Sequence, residues 1–363
     1  MVSSEAKNVN RKLLGVGIGN VMEWFDFAVF GGLIDAIAFN FFPSQGNDKR
    51  EGDQIIYGMI VFGVAFFMRP LGGIVLGLVG DTKGRKNGLM LSIALMLFPS
   101  FLIGCLPTYA QVGFLSPCLL ILCRLLQGFA GGGEMVGAIV YIVEQTKYSG
   151  YPTFYGSLCK ATGNLGSTLG LGLVAALRYL LGDARIMEFG WRIPFLSSII
   201  FGVLGLIIRR QLVNDSDEDS LPMIPGNHTD QKEGPSMMNQ LFEVRLQILL
   251  TVLVVALWGV SYYTILVWLV YFLQNSELSG NFSLSATSVW TVSFLMNVLI
   301  VLLMPCFGLL NDVLNRSQAF LLKLSSALLM IASYPLFLLF TSNHTTAIII
   351  AYLLFTVLIS MYG

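Results

Sequence analysis

Charge is what this chain has least of. Asp, Glu, Lys and Arg together make 12% of its 363 residues, against 55% hydrophobic residues, and the mean hydropathy is +0.74. A soluble domain carries roughly 25% charge, so this composition cannot build a water-facing surface. Only two histidines occur. His228 and His344 fall in polar stretches, which leaves no histidine metal site or proton relay. The five cysteines, Cys105, Cys118, Cys123, Cys159 and Cys306, form no CxxC pair. They lie in or beside apolar runs and read as small core residues. No nucleophile–base pair stands out, which argues against a membrane enzyme. No cleavable signal is evident, because the first apolar run carries acids in its middle. Formal net charge is zero, so bulk electrostatics names no partner, and a nucleic-acid partner is not expected.

Long apolar runs are what the chain has in excess. About 20 residues at 1.5 Å rise cross a bilayer core of about 30 Å. The runs divide into ten spans, approximately 13–41, 54–80, 88–107, 116–144, 154–181, 191–210, 246–273, 287–310, 319–341 and 345–363. The period-2 alternation of a transmembrane β-barrel is missing. The fold class is therefore all-α and polytopic.

A polar stretch interrupts the series. It is acidic from Asn214 to Ser220 and carries the breakers Pro222, Pro225, Gly226, Gly234 and Pro235. The predicted organisation is a tail over 1–12, a six-helix bundle over 13–210, a linker over 211–245 and a four-helix bundle over 246–363. Lys7, Arg11, Lys12, Lys83, Arg85, Lys86, Lys147, Arg209 and Arg210 fall on one side of the membrane. By the positive-inside rule that side is cytoplasmic, and it holds the N-terminus and the linker. Asn281 and Asn343, in N-glycosylation patterns, fall outside.

A short charged turn recurs between spans. Gly77, Asp81, Gly84, Arg85 and Lys86 mark the first copy; Gly308, Asp312 and Arg316 mark a degenerate second one, with Gly, Asp and Arg at the same mutual spacing. One such turn per half points to a transporter built from two related halves. Arg85 is placed to pair with Glu144 as a cytoplasmic latch, and Asp81 to cap the following helix. Six spans precede the linker and four follow it. A repeat built on six predicts two more helices, so the expectation is a truncated or degenerate chain.

The chemistry sits in the spans. Glu23 and Asp26 share one face of the first span at i and i+3. Each costs about 2.5–3.5 kcal/mol at mid-membrane, which demands a partner, a watery cavity or protonation. Burial favours the neutral form of a carboxyl, so a proton carrier is physically reasonable; a helix-packing salt bridge is the alternative. Arg69, Arg124 and Lys160 are basic residues within other spans, suited to neutralising Glu23, Asp26 or Glu134 or to binding an anionic substrate. Asp35 reads as a wetted rim residue. The glycines of 128–137 and 163–172 read as close-packing sites, or as surfaces on which the fourth and fifth helices slide past each other. Lying within spans, they are not a phosphate-binding loop. Tyr262, Tyr263 and Trp268 make an aromatic patch in the seventh span, as packing or as cavity wall.

These residues resemble the major facilitator superfamily, and within it the metabolite:proton symporters. The likeness rests on Gly19-Asn20-x-x-Glu23-Trp24-x-Asp26-Phe27, Arg69-Pro70-Leu-Gly72-Gly73, the Gly77–Lys86 turn, Arg124-x-x-Gln127-Gly128, Gly132-Gly133-Glu134 and Gly190-Trp191-Arg192-Ile-Pro194-Phe195. It implies two six-helix bundles, here with about 10 of the usual 12 helices, working by alternating access on the proton gradient with no cofactor. It implies Glu23, Asp26 and Arg124 in proton coupling. By their chemistry and place, Arg69, Arg124, Glu134, Lys160, Tyr262 and Tyr263 are the candidates at the substrate. Gly77, Asp81, Gly84, Arg85, Glu144, Asp312 and Arg316 would form the cytoplasmic gate. The antiporter Gly-Pro pattern of the fifth span is missing, which favours symport. Thr82, Asn315 and Lys160 depart from the family pattern. The expected cargo is a carboxylate or zwitterionic osmolyte, moved by a monomer in a plasma or bacterial inner membrane. A non-transporting, receptor-like paralogue is the alternative.

Overall fold

A computed structural model of the chain describes residues 2–42, 51–146, 150–214, 243–264, 286–314, 320–340 and 344–362. All described regular structure is helical: α1 Val2–Gly32, α2 Ile34–Phe41, α3 Glu51–Lys83, α4 Arg85–Cys105, α5 Tyr109–Val112, α6 Leu115–Thr146, α7 Pro152–Leu181, α8 Asp183–Arg185, α9 Arg192–Asn214, α10 Arg245–Tyr263, α11 Ala286–Val313, α12 Phe320–Phe340 and α13 Thr345–Tyr362. Ten of them are long and apolar enough to cross a membrane. Their outward surface is greasy: Phe67 is 82% exposed and Tyr179 90%. Such a surface is at home in lipid and not in water.

The helices bend where the sequence allows. The expected single span over 13–41 breaks at Leu33 (φ −117°, ψ 18°), just after Gly31 and Gly32. Pro70, Pro99, Pro305 and Pro335 lie inside helices, as bilayer-spanning helices tolerate. The turn between α3 and α4 is one residue, Gly84, at φ +93°, a conformation that glycine adopts without steric cost.

The chain divides into two compact units. One comprises residues 1–212 and 297–318, the other 213–296 and 319–363. Most of α11 thus packs with the first six spans rather than with the helices that follow the linker. In the first unit α1 lies along α7, and α3 and α4 lie along α6. Glycines permit the closest approaches. A Cβ at Gly128 would fall 1.8 Å from the Ala65 carbonyl, one at Gly132 2.1 Å from that of Arg69, and one at Gly166 2.2 Å from that of Val21. The glycines of the fourth span therefore seat α3 and those of the fifth seat α1, instead of facing each other. An apolar core of Phe25, Phe30, Leu33, Ile37, Phe41, Trp191 and Phe195 closes one end of this unit. In the second unit α12 packs on α13, and Tyr362 Oη donates to the Val254 carbonyl at 2.5 Å.

Candidate functional site

The first unit buries its charges in three groups. The first joins α1 and α3. Arg69 Nη2 stands 2.7 Å from Glu23 Oε1, with Glu23 fully buried and Arg69 20% exposed. The guanidinium lies over Phe27, Phe66 and Trp24, at 4.6, 4.9 and 5.8 Å from their ring centroids. Neither Glu23 oxygen takes a well-aligned hydrogen bond among the described residues, and Arg69 Nε has none either.

The second group centres on Arg124, on α6, and is fully buried. Its guanidinium lies 4.2 Å from the Phe30 centroid, 4.7 Å from Phe27 and 5.4 Å from Phe62. Nη2 donates to the Phe62 carbonyl at 3.0 Å and Nη1 to Gln127 Oε1 at 2.9 Å. Gln127 Nε2 donates to Ser100 Oγ at 2.8 Å. Ser100, from α4, in turn hydrogen-bonds Asp26 on α1. The amide orientation is forced, since an arginine has donors only. Asp26 and Arg124 are thus joined through an amide and a hydroxyl that the packing of three helices, α1, α4 and α6, brings into line. Neither Ser100 nor Gln127 was legible as part of the chain from sequence. Gln127 stood in a motif without a role, and a serine in an apolar span carries no signal of its own.

The third group lies between Glu134, on α6, and Arg209, on α9. Arg209 was expected at the cytoplasmic end of the span over 191–210, as one of its positive-inside charges. It is instead 5% exposed and folds back into the bundle. It forms a bidentate pair with Glu134 and donates to the carbonyls of Gly15 at 2.8 Å, Val16 at 3.3 Å and Leu89. Every guanidinium hydrogen is used. Glu134 also accepts from Ser92 Oγ. Its partner is therefore none of the three basic residues expected from sequence.

Lys160 is half-buried on the α7 face that also carries Ser157 and Asn164. Asp35 is held by Arg178 at 2.7 Å, and Arg178 reaches Asp183 at 2.8 Å. In the second unit Trp258 stacks on Tyr262 at 5.0 Å and Tyr262 meets Tyr263 edge-on at 5.6 Å.

At the repeated turns, Arg85 pairs with Asp81 at 2.8 Å and with Glu144 at 3.5 Å, all three partly exposed. Asp81 does not cap α4, whose N-cap is Gly84 with no side-chain hydrogen bond; one helical turn from Arg85, it is taken by the guanidinium instead. Nothing lies within 4 Å of a Cβ at Gly77. Asp312 caps a helix distant in sequence. Its carboxylate accepts from the backbone N–H of Phe154 at 2.8 Å and of Thr153 at 3.3 Å, at the N-terminus of α7. Asn311 Nδ2 reaches Thr153 Oγ1 at 3.4 Å, and Gly308 lies against Ser157. Arg316, the linker over 215–242, His228, Trp268, Asn281 and Asn343 lie outside the described residues. The Gly190–Phe195 motif serves packing: Trp191 sits edge-on to Phe41 at 5.4 Å, and Arg192 donates to the Gly104 and Leu106 carbonyls at 2.9 and 2.6 Å.

Buried cations and carboxylates inside a bundle of spanning helices define a multi-pass membrane carrier. Residues 13–218 match the family model of the sugar (and other) transporters. The proline/betaine transporter of Escherichia coli (strain K12) is 31% identical over 98% of this chain and 69% of its own length. A Staphylococcus aureus (strain MSSA476) protein, provisionally named a proline/betaine transporter, is 32% identical over 99% of this chain and 74% of its own. The xylose transporter XylE from E. coli, in a partially occluded inward-open conformation, superposes with a TM-score of 0.65 at 14% identity, covering 98% of this chain and 82% of XylE. A double-tryptophan XylE mutant gives 0.74 at 15% identity, covering 96% and 78%. The chain belongs to the sugar (and other) transporter family, within the major facilitator superfamily.

Proposed function

We propose that this protein is a proton-coupled symporter of a small zwitterionic or carboxylate solute, working by alternating access as a monomer in a cell membrane with its N-terminus in the cytoplasm. The observation that carries the reading is the pair of buried carboxyls, Glu23 and Asp26, each tied to a buried or half-buried arginine. Charge held this way inside a membrane is expensive and marks an ion or substrate path. Asp26 and Glu23 are the proton carriers and Arg124 responds to them. Arg69 and Lys160 offer positive charge to a substrate carboxylate. The names of the relatives favour proline or a betaine as cargo. Glu134, saturated by Arg209, Ser92 and its surroundings, holds the bundle together and leaves the substrate to the other groups.

The gate reading follows the repeated turns. The Asp81–Arg85–Glu144 cluster and the Asp312 cap on α7 close the cytoplasmic end in one state and break in the other, so both must be weak enough to open thermally. Exposed pairs are worth about 0–1 kcal/mol, and an N-cap about 1 kcal/mol.

The test is uptake of labelled proline and labelled glycine betaine into proteoliposomes under an imposed proton gradient. Accumulation above equilibrium, abolished by an uncoupler, is expected for at least one of them. Asp26→Asn should lose that accumulation while still exchanging labelled for unlabelled solute across the membrane. Uptake indifferent to the gradient would reject symport, and full accumulation by Asp26→Asn would remove Asp26 from the mechanism.

A further inference from the structure

The chain of donors between Arg124 and Asp26 carries a proton count that its members cannot all satisfy at once. Ser100 Oγ has three polar neighbours. Gln127 Nε2 donates to it at 2.8 Å; the Met96 carbonyl lies at 2.9 Å; Asp26 Oδ2 is also bonded to it. A hydroxyl has one hydrogen and two acceptor sites. A carbonyl and a carboxylate both only accept. With Asp26 ionised, Ser100 can serve Asp26 or the Met96 carbonyl, but not both. With Asp26 protonated, the carboxyl donates to Ser100, Ser100 donates to Met96, and every contact is a hydrogen bond.

We infer that Ser100 is a positioning residue that reads the protonation state of Asp26 and passes it through Gln127 to Arg124, a role that rests on Asp26 being a proton carrier. In the ionised state all donors run one way: Arg124 to Gln127, Gln127 to Ser100, Ser100 to Asp26. A hydroxyl that donates to an anion is a stronger acceptor behind, so each bond reinforces the next. Protonation reverses the last bond and turns the Ser100 hydroxyl onto its own helix. The pull on Gln127 weakens, and with it the hold on Arg124. No covalent step is involved; the proton arrives from and returns to water.

The surroundings suit a signal carried by hydrogen bonds. Ser100, Gln127 and Arg124 are each at most 1% exposed, and Asp26 is 2% exposed, so water does not compete along the chain. The ionisable groups brought to the buried middle of the bundle are Glu23 on α1 itself, Arg69 from α3, Arg124 and Glu134 from α6, and Arg209 from α9. Asp35 and Arg178 pair near the other end of α1 and α7. α4 contributes Ser100 and Ser92, both hydroxyls, to the buried middle. Glu23 and Glu134 have their own cations, and the relay joins Asp26 to Arg124 through Ser100 and Gln127.

Infrared difference spectroscopy of the purified, full-length protein tests this without any substrate. The protonated-carboxyl stretch that grows as pH falls is assigned to Asp26 by its loss in Asp26→Asn. Ser100→Ala should move the midpoint of that band by about one to two pH units, the scale of one hydrogen bond to a charged group. Ser100→Thr, which keeps the hydroxyl, should restore it. Gln127→Leu should move it by about half as much, and serves alone if Ser100→Ala does not fold. A structural role for Ser100 would lower stability at every pH and leave the midpoint in place. A band that stays put in both Ser100→Ala and Gln127→Leu overturns the switch while the proton-carrier reading stands. Absence of any band lost in Asp26→Asn overturns both.

Discussion

Two buried arginine–glutamate pairs sit on neighbouring helices of this protein and do opposite things. Arg209 and Glu134 are saturated: every guanidinium hydrogen has an acceptor. Arg69 and Glu23 touch, but leave buried donors and acceptors without hydrogen bonds. A saturated pair resists rearrangement; in the proposed mechanism the other pair is the one that exchanges partners with a proton or a solute. Glu134→Gln should therefore act on stability, because it removes the counter-charge of the buried Arg209 and turns one of its five acceptors into a donor. A loss of about 3–5 kcal/mol is expected, seen as a large drop in melting temperature in detergent. Adding Arg209→Met should recover much of it. Glu23→Gln should leave the melting temperature nearly unchanged and show its effect in gradient-driven uptake. Equal destabilisation by both substitutions would contradict the distinction.

Between helices, packing is decided by the glycines that face a neighbouring backbone. Gly132→Ala puts a methyl 2.1 Å from the Arg69 carbonyl, so α3 and α6 must separate and carry Arg69 away from Glu23. Overpacking of this kind costs about 1–3 kcal/mol. Gly77→Ala has open space around it, and replacing a helical glycine gains up to about 1 kcal/mol. Thermal melting of the two variants should move in opposite directions. The two glycines cannot be ranked from sequence, because a glycine in a motif and a glycine against a carbonyl look alike until the partner helix is placed. Of the two readings of the glycine sets in the fourth and fifth spans, close packing and sliding, the contacts with α3 and α1 match close packing.

Across the whole protein, transport depends on contacts that form and break. Arg85 and Glu144 are 34% and 50% exposed, so salt should screen their attraction. Raising ionic strength from about 0.1 M to 1 M, where the screening length falls to roughly 3 Å, should mimic Glu144→Gln in part, and that variant should keep only the salt response of the Arg85–Asp81 pair. Asp312 is different, since its hydrogen bonds to α7 go to backbone N–H groups at a helix N-terminus. Asp312→Ala should lose about 1 kcal/mol of closed state, close to a fivefold shift in population. A cysteine at Ser157, covered by Gly308, should then label about fivefold faster with an impermeant maleimide applied from the cytoplasmic face. Unchanged labelling would show that the cap does not gate access.

The apolar runs, the repeated turn and the carboxyls of the first span were legible in the chain itself, because a bilayer permits few ways to lay out about 20 apolar residues and tolerates little charge among them. Those constraints are local, and they fixed helices, order and the groups that matter. Partner choice is not local. Whether Glu134 meets Arg209 or Lys160, whether Asp26 reaches Arg124 directly or through Ser100 and Gln127, and which helix Asp312 caps all depend on which carbonyls and hydroxyls distant helices bring within about 3 Å. Only tertiary packing sets those distances, and it alone gave Glu134 to Arg209 and Glu23 to Arg69.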